Sequence, residues 1–202
     1  MKDNNSKQVL LSILGVIILI VAVVGVSFAA FSYSKTGTKV NTITTGTITM
    51  SYSETTNGIN LTNALPMTDT AGKALQGDGN AFDFTVSANI TGTTTINYVI
   101  TATREASSTL ADGAVKVYLT NMDSKADSEI LAPTKISSLQ KTGSAEVTGA
   151  PQGQYVLKKD TFKATGSRAY RLRMWVADDY NVTGSAQTYK LRVNVYGTAA
   201  AQ

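Results

Sequence analysis

Apolar and polar positions divide the chain into three regimes. From Val9 to Phe31 the residues are almost continuously apolar. A helix of 23 such residues reaches roughly 34 Å, enough for a hydrocarbon core of about 30 Å. After a polar stretch rich in Ser, Thr, Lys and Asn, the remainder alternates in short runs, which is the period of half-buried strands. In Phe82–Ile90 the apolar side chains fall on even positions, and the pattern resumes as Ile96, Tyr98, Ile100 and Ala102. Val115, Val117 and Leu119 share a face in Ala114–Asn121, as do Tyr170, Leu172, Met174 and Val176 in Ser167–Val176. Tyr189, Leu191, Val193 and Val195 repeat the pattern in Thr188–Gly197. With Gly46–Ser53 and a short run at Ile59–Leu61, these make at least seven strands, which predicts an all-β, jelly-roll-like β-sandwich behind an N-terminal transmembrane or signal helix.

Residues 123–153 break the rhythm with Pro133, Gly143, Gly149 and Pro151. They read as an insertion with one short helix near Ala132–Leu139. The expected organisation is therefore a signal peptide or anchor at 1–30, an extended segment at 31–45, and a single sandwich at 46–202 carrying that insertion.

Lys2 and Lys7 precede the apolar run, so the positive-inside rule places everything after Phe31 outside the cell. The run is longer than an ordinary signal core yet ends in small residues, leaving both a removed signal and a retained anchor open. Ser27-Phe28-Ala29 satisfies the small-residue rule for cleavage after Ala29. The chain holds no cysteine, so the exported part relies on its core and its sheets rather than disulfides. Its net charge of +4 is scattered, which gives no basis for nucleic-acid binding.

Histidine is absent from all 202 residues. That excludes His-based zinc sites, Ser-His-Asp triads and Cys-His dyads. Asp123, Asp127 and Glu129, and the pair Asp178 and Asp179, lack the spacing of a calcium loop and read as solvated turns. No enzyme activity, cofactor or metal is expected. Arg171, Arg173, Lys190, Arg192 and Asn194 have outward parity on two runs that would form one basic face if they paired as a hairpin. Trp175 and Tyr196 share that parity and would be exposed there. Asn60, Asn89 and Asn181 begin glycosylation sequons, relevant only in a host that modifies exported chains.

Phe28-Ala29-Ala30-Phe31, the polar stretch after it and Thr45-Gly46-Thr47-Ile48-Thr49-Met50 together resemble the start of the TasA/camelysin family. Ile59–Pro66, Phe82–Ile100 and Tyr189–Tyr196 are similar to later family segments, whereas residues 123–166 match poorly. The resemblance implies cleavage by a dedicated signal peptidase between Ala30 and Phe31. It also implies a secreted subunit of biofilm-matrix fibres or pili, polymerising with itself as its freed N-terminal segment inserts into the next copy. Phe31, Tyr33, Val40 and Ile43 would then be the buried donor-strand positions. Camelysin-type members are described as metalloproteases, a role this histidine-free chain is not expected to share. The alternative is a membrane-anchored surface or virion protein whose helix stays in place.

Overall fold

The computed structural model describes Val16 and residues 32–36, 41–45, 48–55, 59, 61–62, 64–91, 94–124, 127–181 and 187–200. The rest of the apolar run, including Ala30 and Phe31, lies outside the described residues, as does Val40. Among the described residues no helix is long and apolar enough to cross a membrane.

The chain forms an all-β sandwich of two antiparallel sheets. Its strands are β1 (Ser32–Thr36), β2 (Asn41–Thr45), β3 (Ile48–Glu54), β4 (Leu61–Thr62), β5 (Ala81–Ile90) and β6 (Thr95–Arg104), followed by β7 (Val115–Asn121), β8 (Ser128–Lys135), β9 (Tyr155–Phe162), β10 (Gly166–Val176), β11 (Thr188–Tyr189) and β12 (Leu191–Ala200). One short helix, α1 (Asp69–Lys73), lies between β4 and β5. The four-stranded sheet runs β1-β12-β6-β9 and the six-stranded sheet β2-β3-β5-β10-β7-β8, while β4 and β11 make a small separate pair.

Inward positions of both sheets meet in one core around Met50, Tyr52, Phe84, Val86, Ile96, Ile100, Val117, Leu119, Met174 and Val195. The Phe84 and Tyr170 rings stack at 5.4 Å. Tyr98 and Tyr170, from opposite sheets, join their buried hydroxyls at 2.6 Å. Burying two phenols in an apolar layer is costly unless each has a partner, and here each supplies the other's. Burial first, and then this contact, push the Tyr98 hydroxyl far above its ordinary range.

Two expectations need correction. Residues 123–153 are not a simple insertion with a helix at Ala132–Leu139: they contain β8, which runs through Lys135, and only a 3-10 turn at Ile136–Ser138. β8 is an edge strand, half-buried with an irregular ladder, so no clean alternation marks it. β9 escaped the pattern for a similar reason, since Lys158 and Lys159 interrupt the apolar positions Tyr155, Leu157 and Phe162.

The expected hairpin of β10 with β12 does not form. β10 pairs with β5 and β7 in one sheet, and β12 pairs with β1 and β6 in the other. No common basic face exists. Arg171 grips Asp83 through two hydrogen bonds of 2.6 and 2.7 Å. Arg173 and Trp175 are fully buried beneath the segment carrying α1. An added Cβ on Gly72 of α1 would stand 2.3 Å from the Trp175 ring, so only glycine permits this approach. Asn194 and Tyr196 are buried too, with Tyr196 packed against Val99 and Ala150 and accepting a 2.9 Å hydrogen bond from Gln154.

Candidate functional site: two unlike edges

An open sandwich has two lateral edges, and backbone groups there are the sites at which a further strand can add. On the near edge, one continuous stretch of sequence supplies the outermost strand of both sheets. β1 pairs antiparallel with β12 over five positions, from Ser32 opposite Thr198 to Thr36 opposite Asn194. β2 pairs with β3 over five more, from Asn41 opposite Tyr52 to Thr45 opposite Ile48. Neither ladder shifts register. Just beyond their ends, Glu54 of β3 and Arg192 of β12 line a cavity of about 410 Å³ floored by Phe82, Leu172, Met174 and Val193. Arg192 pairs with Glu105 at its rim at 2.7 Å.

The far edge is formed by β8 and β9 and is built to different rules. The β7–β8 ladder shifts register on both sides of Leu119, and Pro133 falls in the first irregular stretch. Proline cannot donate to a ladder, and bulges twist an edge away from partners. An apolar cleft of about 370 Å³ between the two strands, lined by Ile130, Leu131 and Leu157, is bordered by Lys158 and Lys159. Lys159 binds Glu146 at 2.6 Å, and Lys135 at the end of β8 binds Asp179 at 2.6 Å.

Ion pairs also clamp β8 to the body of the sheet. The Arg173 guanidinium donates to Asp127 at 2.6 Å, to Thr120 at 3.2 Å and to the Leu75 carbonyl at 2.6 Å. Lys73 of α1 reaches Glu129 at 2.9 Å. Burial alone would raise the Asp127 carboxyl, but hydrogen bonds from Arg173 and Thr120 outweigh it and hold it below the ordinary carboxylate range. At the start of β9, Tyr155 and Tyr189 both donate to Asp112, the latter at 2.8 Å. Burial and that carboxylate push the Tyr155 hydroxyl up to about 12.

The five carboxylates singled out from sequence are therefore engaged in structural contacts. Asp123 accepts from Asn121 and from the Ala169 amide, Asp178 receives Lys116 at 3.4 Å, and Asp127, Glu129 and Asp179 hold the cations named above. Among the described residues no group of three or more acidic side chains is placed to hold a metal. Of the four proposed donor positions, Tyr33 lies on β1 opposite Gly197 and Ile43 on β2 opposite Met50. Phe31 and Val40 fall outside the described residues. Nothing in the sequence marks the contact of Gly197 with Met50, because the importance of a glycine inside a strand depends on what approaches it. No protein-family model matches this chain, and no curated protein matches it either.

Proposed function

We propose that this protein is an exported structural subunit of an extracellular filament, a biofilm-matrix fibre or a pilus, assembling head-to-tail by donor-strand complementation. In this reading a jelly-roll-like sandwich follows an N-terminal export helix, and a signal peptidase cuts between Ala30 and Phe31. The supporting observation is that residues 32–45 alone supply the outermost strand of both sheets on one edge. They directly follow the apolar segment. A segment in that position can be replaced by the same segment of another copy with no change in hydrogen-bond pattern. Because the donor and acceptor surfaces differ, the contact does not close on itself and propagates as a filament. Phe31, Tyr33, Val40 and Ile43 serve as the donor-strand positions. The subunit's partner is itself. It performs no catalysis and takes no cofactor.

The pairing of β1 and β2 within their own chain favours one other reading, a self-closed surface or virion module that stays tethered through residues 1–30. Mass spectrometry of the exported protein, combined with electron microscopy, separates the two. A mature N-terminus at Phe31 or Ala30 in material that forms filaments is the expected result. An intact Met1, with detergent-dependent solubility and no filaments, would leave only the tethered module.

A further inference from the structure

The two strands that receive the N-terminal segment meet where Gly197 faces Met50. Gly197 is buried in β12, and a Cβ added to it would stand 2.7 Å from Met50 Cε, 2.8 Å from Met50 Sδ and 3.3 Å from the Asn97 carbonyl oxygen. Glycine weakens a strand interior, so its place here has a packing cause: the Met50 thioether occupies the space of the missing side chain. Met50 is itself fully buried. The ladders add a further fact, for Tyr33 is the register partner of Gly197 and Ile43 that of Met50. Tyr33, Gly197, Met50 and Ile43 thus occupy one layer that crosses the near edge from β1 through β12 and β3 to β2.

We propose that Gly197 and Met50 form a register key, which admits the N-terminal segment only with Tyr33 opposite Gly197 and Ile43 opposite Met50. The same key reads the segment of a second copy during strand exchange, and this second statement rests on the filament function proposed above. A slip of one residue brings Ser32 or Ser34 opposite Gly197 and turns all side chains of the strand to the opposite face. A slip of two is caught at the second point. Sliding one way sets Phe31 opposite Gly197 but Asn41 opposite Met50, and sliding the other way sets Lys35 and Thr45 there. Either shift brings a polar residue opposite a fully buried methionine, whose thioether is only a weak hydrogen-bond acceptor. Only the observed register pairs an aromatic residue with the glycine and an aliphatic one with the methionine together.

The absence of cysteine makes the test clean. In the exported protein, Ser32→Cys with Thr198→Cys reports the observed register, and Ser34→Cys with Thr198→Cys reports a two-residue slip. After mild oxidation the in-register disulfide should dominate. Adding Tyr33→Ser or Gly197→Val should lower its yield relative to the slipped product by about fivefold, the scale of one cross-strand aromatic pair. Ser34→Ala should leave it unchanged. Circular dichroism confirms that each variant is folded, and the edge substitution Tyr33→Ser covers the case in which Gly197→Val does not fold. An unchanged ratio in Tyr33→Ser and in any folded Gly197→Val overturns the key. Filaments from a mixture of the single variants Ser32→Cys and Thr198→Cys should carry the disulfide between two chains. If those filaments form without it while the double variant keeps its register ratio, strand exchange is overturned and the key stands for closure within one chain.

Discussion

The near and far edges solve the same problem in opposite ways. Both expose a strand from each sheet, and an unprotected pair of this kind invites indiscriminate addition. The far edge carries fixed features of the kind that discourage strand addition: Pro133, irregular ladders, and lysines held by Glu146 and Asp179. The near edge is closed by regular ladders of a segment joined to the sandwich on one side only, at β3. A molecule with two blocked edges would stay a monomer, and one with two open edges would aggregate. Under the proposed filament function, one blocked edge and one edge closed by an exchangeable segment would give growth a direction.

The most drastic way to break this comparison is to remove residues 31–45 from the exported chain. Filaments should vanish entirely by electron microscopy while circular dichroism still reports a β-sandwich. Filaments that survive the deletion would show that the near edge has no special role. Next in size is Arg173→Met, which leaves Asp127 and the Leu75 carbonyl without their shared donor under α1. Arg173 is fully buried but Asp127 is exposed, so losing this donor should cost about 2 kcal/mol, seen as a lowered urea midpoint. A loss under about 1 kcal/mol would mean that the clamp on β8 contributes little.

Converting the far edge into an accepting one is a subtler test. Pro133→Val combined with Lys158→Thr and Lys159→Thr should change stability by about 1 kcal/mol or less, yet cause side-by-side bundling detectable by light scattering. Light scattering indistinguishable from the parent protein would contradict the blocking role assigned to these residues.

The smallest effects are those of pH. The folded Asp127 carboxyl lies below its ordinary value, so its contribution is complete above about pH 4 and is lost as the pH falls through the lowered folded value. The urea midpoint should therefore drop more between pH 6 and pH 3 in the parent than in Asp127→Asn. The Tyr155 hydroxyl, raised to about 12, has the opposite sign: its contribution is complete below about pH 10 and disappears as the pH rises through 12. Ultraviolet titration of Tyr155→Phe should lack one late-ionising phenol.

Strands with one face in the core and an unbroken ladder were readable in the sequence. Phe82–Ile90 alternates as its burial does, and Val115, Val117, Leu119, Val193 and Val195 reach the core as their parity requires, although the opposite faces of β7 and β12 are largely buried as well. β8 and β9 were not readable, since an edge strand with a bulge answers to its neighbour rather than to a simple alternation. Sheet membership was equally hidden. Arg173 and Trp175 have outward parity, but outward means exposed only when nothing covers the sheet, and α1 covers it there. Within the candidate site, chain order fixes neither the register of Tyr33 and Ile43 nor the contact of Gly197 with Met50, since both depend on how the strands pair.

The division of β1 and β2 between two sheets has a kinetic consequence. Each ladder holds five residue pairs, and a continuous segment joins them. If one ladder opens, the other keeps the loose half within a few residues of its seat, so rebinding proceeds at the high effective concentration of a tethered ligand. Departure requires both grips to fail together, which makes the segment a bivalent ligand with a lifetime far longer than either strand alone would have.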